Sequence, residues 1–139
     1  MLKIRPENLR AFQPQAEAAA ADRIAEHIRK EHADCVVDLP GGVFTVRQIP
    51  DEQLREMVRN GIARARRHGM STEASLASFV VLMFVVAPNF DEHPLIERVL
   101  KDEAAPPDSR IALLWERTSE QNWDAAKENY DAGAWNLKA

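Results

Sequence analysis

Residues 76–87 read LASFVVLMFVVA and form the most apolar stretch of the chain. The valines are compatible with a strand, but the amphipathic lead at 72–76 extends the segment beyond the usual length of a strand. A helix that is apolar on every side is buried on every side. We therefore predict a buried central helix at about 72–87, capped by Ser71 and stopped by Pro88, with the other elements packed around it.

Two longer amphipathic segments come before this central helix. Small and apolar residues recur through 14–32 with the 3.6-residue period of a helix, and both Pro6 and Pro14 stand where a helix can begin. The segment 50–69 has acids in its first turn and arginines in its last, as the helix dipole favours. A glycine within a helix costs up to about 1 kcal/mol relative to alanine. Gly61 therefore indicates a close crossing with another helix.

The segment 36–46 has a different pattern, since its residues are mostly β-branched and Pro40-Gly41-Gly42 interrupts them. Glycine reaches the positive φ that tight hairpins require, so two short strands around this turn are one interpretation. An irregular apolar loop is the other, because an isolated two-stranded hairpin is only marginally stable. Both interpretations stay open at this stage.

Three short helices are predicted in the last third of the chain. One begins at Pro94, the next is capped by Asp108 or Ser109, and the last is capped by Thr118 or Ser119. Gly133 is expected to end the last helix, which leaves 134–139 as a tail. The sequence thus predicts a single all-α domain over residues 1–139, a compact orthogonal bundle of about six helices with at most one short hairpin near 36–46.

Composition excludes several classes of protein. The chain has 139 residues, 45% of them hydrophobic and 29% charged, which is typical of one globular domain. The single cysteine, Cys35, cannot form an internal disulfide, and this excludes a secreted disulfide scaffold. The ten-residue apolar run at 79–88 is half of the about twenty residues that a membrane span needs. Because 1–7 lack an apolar stretch of signal-peptide length, we expect a cytoplasmic protein that does not bind membranes.

Charge argues against nucleic acid as a partner. The formal net charge is −4, whereas phosphate contacts need a surplus of lysine and arginine. Arg64, Arg66 and Arg67 nevertheless cluster at the end of the second predicted helix. The cluster either complements the helix dipole or faces an acidic protein partner.

Two histidine–glutamate pairs are the candidate metal ligands. His27 and Glu31, and likewise His93 and Glu97, have the i, i+4 spacing that places both side chains on one helix face. Neither pair has an evident third ligand, and surface ion pairs have the same spacing. The segment Asp91-Glu92-His93 is compatible with an acid/base cluster, but capping of the helix at Pro94 is the simpler interpretation. We expect no enzymatic activity, no cofactor and no metal.

The three tryptophans all lie in the last quarter of the chain. Trp115 and Trp123 fall on predicted helices and are expected in the core. Trp135 lies on the terminal segment and either folds back onto its own bundle or contacts a partner, since aromatic residues dominate many protein interfaces. The candidate partner-binding residues are therefore Arg64, Arg66, Arg67 and Trp135.

Four stretches carry a resemblance to a known family: 1–28, the helix 54–69 (LREMVRNGIARARRHG), the apolar segment 77–84, and the Asn89-Phe90-Asp91 turn. Together they resemble the small helical proteins encoded near PAAR spike-tip proteins and effector chaperones in bacterial type VI secretion clusters. The resemblance implies a non-enzymatic co-chaperone or adaptor whose partner is an effector, an effector chaperone or a PAAR protein. The chain departs from the family at 36–46, and the family offers no catalytic residues to carry over.

Two other functions remain as alternatives. An immunity protein that occludes a toxin is typically small and acidic, and the acidic segment 91–103 is suited to a basic cleft. A helical metal-dependent hydrolase would use the His27/Glu31 or His93/Glu97 pair. Self-association into a homo-oligomer is compatible with any of these functions.

Overall fold

The computed structural model describes the backbone of residues 6–137 and the side chains of residues 16–137. This part of the chain is mainly α-helical, with one small antiparallel hairpin. The elements are α1 (Pro6–Glu31), β1 (Val36–Leu39), β2 (Gly42–Thr45), α2 (Asp51–Arg67), α3 (Glu73–Val85), α4 (Pro94–Leu100), α5 (Arg110–Arg117) and α6 (Glu120–Glu128). Short 3-10 turns lie at Val46–Gln48, Phe90–Glu92, Pro107–Ser109 and Ala132–Trp135. No helix between residues 6 and 137 has both the length and the apolar character to cross a bilayer.

Helix α1 begins at Pro6, the earlier of its two predicted starts, and continues through Pro14. It packs against α2 and α3 through a seam of small and branched residues, Ala20, Ala21, Ile24, Ala25 and Ile28. Ion pairs join its rim to both helices, from Glu17 to Arg66, Asp22 to Arg55, Arg23 to Glu73, and Arg29 to Asp51. Because exposed pairs contribute little to stability, the apolar seam supplies most of the binding energy of α1.

Helices α2 and α3 cross closely at Gly61, as the sequence predicts. A Cβ atom built on Gly61 would lie 3.0 Å from both Val80 Cγ2 and Met83 Sδ. Val80 and Met83 are fully buried on the facing side of α3. The glycine therefore lets the two helix backbones approach each other more closely than any side chain would permit.

Helix α3 is mostly buried, but one side stays open to solvent. Its apolar interior consists of Leu76, Phe79, Val80, Leu82, Met83 and Phe84. The prediction of burial on every side is wrong at Val85, which is exposed, and at the half-buried Val81. With Ala74 and Ser78, both exposed, these two valines form a strip along the side of the helix that faces solvent.

Asp108 holds the start of α3 rather than the start of α5. Its carboxylate accepts hydrogen bonds from the backbone N–H groups of Ser71 and Thr72 at 2.7 and 3.1 Å, and from Ser75 Oγ at 2.6 Å. These bonds hold the pKa of Asp108 well below its usual value. Ser71 is thereby engaged outside the helix, so Thr72, not the predicted Ser71, is the N-cap and accepts from Ser75 N–H. Helix α5 has Ser109 at its N-cap without a side-chain hydrogen bond.

The segment 36–46 forms the hairpin, which was one of its two predicted forms. Leu39 pairs with Gly42 across the Pro40-Gly41 turn, and Gly42 has φ +142°, a region that favours glycine. Val37 and Leu39 are buried beneath the hairpin. The hydroxyl of Tyr130 donates to Asp38 C=O at 2.9 Å and accepts from Asp38 N–H at 3.0 Å. These contacts provide the support that an isolated hairpin lacks.

The C-terminal segment is folded back onto the core. Helix α6 ends at Glu128 rather than at the predicted Gly133, which lies in the following 3-10 turn. Asn60 Nδ2 on α2 donates to the carbonyl of Trp135 at 2.9 Å and to that of Asn136 at 3.1 Å. The predicted tail, as far as residue 137, therefore belongs to the packed structure.

The close crossing at Gly61 gives a test of the fold. We expect Gly61→Val to lower the free energy of unfolding by about 1–3 kcal/mol, because the new side chain must displace Val80 or Met83. Ala63→Val, at an exposed position of the same helix, is the matched control and should cost only about 0.5 kcal/mol. Urea unfolding of both variants measures the difference. Equal stabilities of the two variants would contradict the crossing.

Candidate functional site

Arg64, the first of the predicted partner-binding cations, is turned into the protein. Its Nε and Nη2 atoms donate to both carboxylate oxygens of Asp91 at 2.8–3.0 Å, and Nη2 also reaches Glu92 at 2.9 Å. His68 Nε2 lies 2.8 Å from Asp91 Oδ2. Arg64, His68, Asp91 and Glu92 make up the Asp91 cluster, in which Asp91 is only 5% exposed.

The electrostatics of the Asp91 cluster favour the ionised carboxylate. Burial by itself raises the pKa of Asp91, but the hydrogen bonds from His68 and Arg64 and the positive charge of Arg64 outweigh that effect and lower it. Both oxygens of Asp91 are already engaged by these two side chains. The cluster therefore acts as an internal clamp between the end of α2 and the turn before α4.

The other two cations do not share a face with Arg64. Arg66 pairs with Glu17 of α1 at 2.7 Å, and its buried Nε has no hydrogen-bond partner among the described side chains. Arg67 is exposed. Of the three predicted cations, Arg64 is committed to the fold and Arg66 largely to α1. Only Arg67 is presented to solvent without an ion pair to a described residue.

Trp135 takes the folded-back position, one of its two predicted alternatives, and Trp115 is the tryptophan that departs from its prediction. Trp135 has no exposed surface, packs 4.7 Å from the ring of Phe84, and donates from Nε1 to the hydroxyl of Tyr130 at 2.9 Å. Trp135 therefore has no surface to offer a partner in this structure. Trp115, expected in the core, is 61% exposed. It is the outer end of a row of rings that continues inward through Trp123, Phe90 and Phe79.

The two histidine–glutamate pairs are used differently from a metal site. His93 Nδ1 accepts from Leu95 N–H at 3.2 Å and caps α4, in agreement with the capping interpretation. The ring of His27 packs edge-on against His32, with centroids 5.7 Å apart. The described side chains contain no group of three or more metal-ligating residues placed to hold an ion.

Cys35 lies beside the first strand and is partly buried. Its Sγ donates to the carbonyl of Phe84 at 3.0 Å. Burial raises the pKa of this thiol, which keeps it protonated at neutral pH. A protonated, hydrogen-bonded thiol is a poor nucleophile, in keeping with the packing role expected from its apolar neighbours.

The exposed apolar surface concentrates on the hairpin. Val36 and Val43 on its outer face are 60% and 64% exposed, and Phe44 at its inner edge is 36% exposed. We call these three residues the hairpin surface. Single exposed apolar residues are ordinary, but a cluster on one element marks an interaction site more often than chance.

A groove adjoins Phe44, between the hairpin, the start of α2 and the C-terminal segment. Its volume is about 680 Å³, and its apolar lining consists of Leu39, Pro40, Phe44, Pro50 and Leu137. The two charged residues that line it, Glu52 and Glu56, are both acidic. The hairpin groove meets the hairpin surface at Phe44, which lies on the inner face, whereas Val36 and Val43 lie on the outer face of the hairpin.

The hairpin surface is a feature that the sequence analysis did not identify. Successive residues of a strand point to opposite faces, so Val36 and Val37 cannot both face the core. The sequence signal for this exposed surface was the presence of valine on both faces of a two-stranded hairpin. The rest of the domain packs against only one of these faces, so the valines of the other face stay exposed. The arginine cluster and Trp135 were more conspicuous in the sequence. In the structure, however, Arg64, Arg66 and Trp135 all make contacts within the chain.

Comparison of the chain with protein families, with curated proteins and with solved structures finds no match. The geometry described above is therefore the basis for the functional argument.

The Asp91 cluster gives a second test. We expect Asp91→Asn to lower the free energy of unfolding at pH 7 by about 3 kcal/mol, because it leaves the half-buried charge of Arg64 without its main partner. Asp102→Asn removes a carboxylate from an exposed pair with Arg117 and should cost much less. Denaturant unfolding measures both variants.

The stability difference between the wild type and Asp91→Asn has a defined pH dependence. The folded-state pKa of Asp91 is lowered, so its stabilising contribution is complete above about pH 4 and is lost as the pH falls through the folded-state value. The stability difference between wild type and Asp91→Asn should therefore shrink below about pH 4. A difference that grows as the pH falls below about 4 would contradict an ionised, paired Asp91.

Proposed function

We propose that this chain is a non-enzymatic accessory protein that binds another protein through the hairpin surface. The observation that carries the proposal is the exposure of Val36, Val43 and Phe44 on one small element next to an apolar groove. Exposed β-branched and aromatic side chains lose unfavourable contact with water when a partner covers them. We also propose that the helices form the orthogonal bundle predicted from the sequence, with α3 at its centre. This bundle would be the scaffold that carries the hairpin.

The groups that would support chemistry are occupied within the fold. Asp91 is held by Arg64 and His68, His93 caps α4, and the thiol of Cys35 is bonded to a backbone carbonyl. Each of these side chains already has a structural partner. This arrangement favours binding over catalysis.

We propose further that the binding role is that of a cytoplasmic co-chaperone or adaptor in type VI effector loading. The resemblance to those proteins rests on 1–28, 54–69, 77–84 and the turn at 89–91. The described parts of these stretches lie in α1, α2, α3 and the turn that holds Asp91. The departing segment 36–46 coincides with the hairpin. A common scaffold with a distinct hairpin suits an adaptor that recognises its own effector, effector chaperone or PAAR protein.

The immunity function receives less support from the described contacts. It relies on the acidic segment 91–103 as a free negative surface. Asp91 and Glu92 instead pair with Arg64, Glu97 pairs with Lys101, and Asp102 pairs with Arg117. Most of the negative charge of this segment is therefore neutralised inside the chain.

Co-purification tests the proposed function. The chain is co-expressed in turn with a type VI effector, an effector chaperone and a PAAR protein of its own host, and we expect one of them to form a complex that survives size-exclusion chromatography. Val43→Ser should weaken this complex by about tenfold, since each 1.4 kcal/mol of lost apolar contact is one factor of ten. Trp115→Ser is the matched control, because Trp115 is as exposed as Val43 but lies on α5.

A complex that tolerates Val43→Ser but is lost with Trp115→Ser would overturn the assignment of the surface. A complex lost only with Arg67→Glu would return the interface to the predicted basic cluster. No complex with any of the three gene products would overturn the proposed role in type VI loading. Circular dichroism of each variant checks that it is folded.

A further inference from the structure

The two edges of the hairpin differ in their hydrogen bonding. On the β1 edge, the N–H and C=O groups of Asp38 both point outward and are bonded to Tyr130. Asp38 faces Val43 in the antiparallel register, and opposed residues point their peptide groups in opposite directions when they are not bonded to each other. The N–H and C=O groups of Val43 therefore point away from β1, at the outer edge of β2.

The outer edge of β2 is open at Val43. No described residue makes a hydrogen bond to the backbone N–H or C=O of Val43. Further along the strand, the N–H of Thr45 is bonded to the side chain of Gln48 at 3.0 Å, which closes that end. An open strand edge is a template for pairing with another extended chain.

Apolar side chains flank this open edge on both faces of the strand. Val43 projects from the outer face and Phe44 borders the hairpin groove on the inner face. A strand added beside β2 would alternate its side chains in the same way, one set beside Val43 and the next in the groove. The backbone supplies hydrogen bonds and the groove supplies selectivity, which is the general mode of β-strand addition.

Charge identifies the kind of segment that fits the groove. Its charged lining residues, Glu52 and Glu56, are both acidic, whereas the neighbouring Asp51 is paired with Arg29 of α1. A second copy of this chain, paired edge to edge, would bring two such sets of carboxylates together. A basic segment of another protein would instead be attracted to them.

We propose that the outer edge of β2 takes up an extended segment of a partner protein as a third strand, with lysine or arginine facing Glu52 and apolar residues beside Val43. This inference rests on the proposed function and specifies the partner chemistry of the same surface. Long basic side chains suit the groove, because their aliphatic stems pack along Phe44 and Pro50 while their charges reach Glu52.

A synthetic peptide that alternates lysine and valine over seven residues (KVKVKVK) is the probe, and EVEVEVE is its acidic counterpart. Binding to the isotope-labelled protein is followed by the backbone amide chemical shifts. We expect KVKVKVK to shift the amides of Gly42, Val43, Phe44 and Glu52 and to slow hydrogen exchange at the Val43 N–H. EVEVEVE should produce neither effect.

Two pairs of variants test separately the backbone pairing of the added strand and its attraction to the charge of Glu52. Val43→Pro removes the outward N–H that the added strand needs, whereas Val43→Thr keeps it, so only the first should lose binding, by about tenfold or more. Glu52→Lys should weaken binding by about threefold to tenfold. Glu120→Lys is its control, because Glu120 is likewise an exposed glutamate in the first turn of a helix, α6, and does not line the groove.

The outcomes distinguish this inference from the proposed function. If Val43→Pro and Val43→Thr bind KVKVKVK equally, or if Val43 N–H exchange is unchanged in the wild type, the third strand is wrong. If Glu52→Lys and Glu120→Lys both bind KVKVKVK as tightly as the wild type does, the proposed preference for a basic segment is wrong. In either case, if Val43→Ser still weakens the co-purified complex, the proposed function stands. Loss of that dependence overturns the proposed function whatever the peptide does.

Discussion

Helix α2 lies so close to α3 at Gly61 that Val80 and Met83 occupy the space of a side chain, and the rest of the structure takes its positions from this contact. Arg64 and His68 follow on the same face of α2, one and two turns later, and there they meet Asp91. Asn60, beside Gly61, holds the carbonyl of Trp135. Trp135 in turn supports Tyr130, which fixes the hairpin at Asp38. A chain of direct contacts therefore runs from the helix crossing to the hairpin.

This arrangement leaves apolar side chains of the hairpin exposed, while Asp91, His93 and Cys35 have partners within the fold. The buried carboxylate of Asp91 is paired with Arg64 and His68, as buried charge must be to avoid a large desolvation cost, whereas the buried Nε of Arg66 has no hydrogen-bond partner among the described residues. The large aromatic side chains Phe84 and Trp135 are enclosed between α3 and the C-terminal turn. The outer face of the hairpin stays exposed, as do Val85 on α3 and Trp115 on α5. Val36 and Val43 are exposed because their strand neighbours occupy the inner face.

Local patterns predicted the helices well, and long-range contacts account for the rest. Charges at the ends of α2 and the glycine at its centre act within a few residues, so the sequence indicated both the helix and its close crossing. Asp108, by contrast, stands beside α5 in the sequence but binds the start of α3, more than thirty residues away. The same holds for Trp135, whose partner Phe84 lies far along the chain. No residue next to either position indicates its partner, so the cap, the buried tryptophan and the open hairpin surface required the structure.

Hydrogen–deuterium exchange of the chain, free and bound to its co-purified partner, tests the central claim most directly. The account predicts that binding slows exchange chiefly in residues 36–45 and at the start of α2, which border the hairpin groove. Exchange in α5 and α6, around Trp115, should stay as it is in the free protein. Protection confined to α5 and α6, or to the end of α2 around Arg66 and Arg67, with the hairpin unchanged, would contradict it.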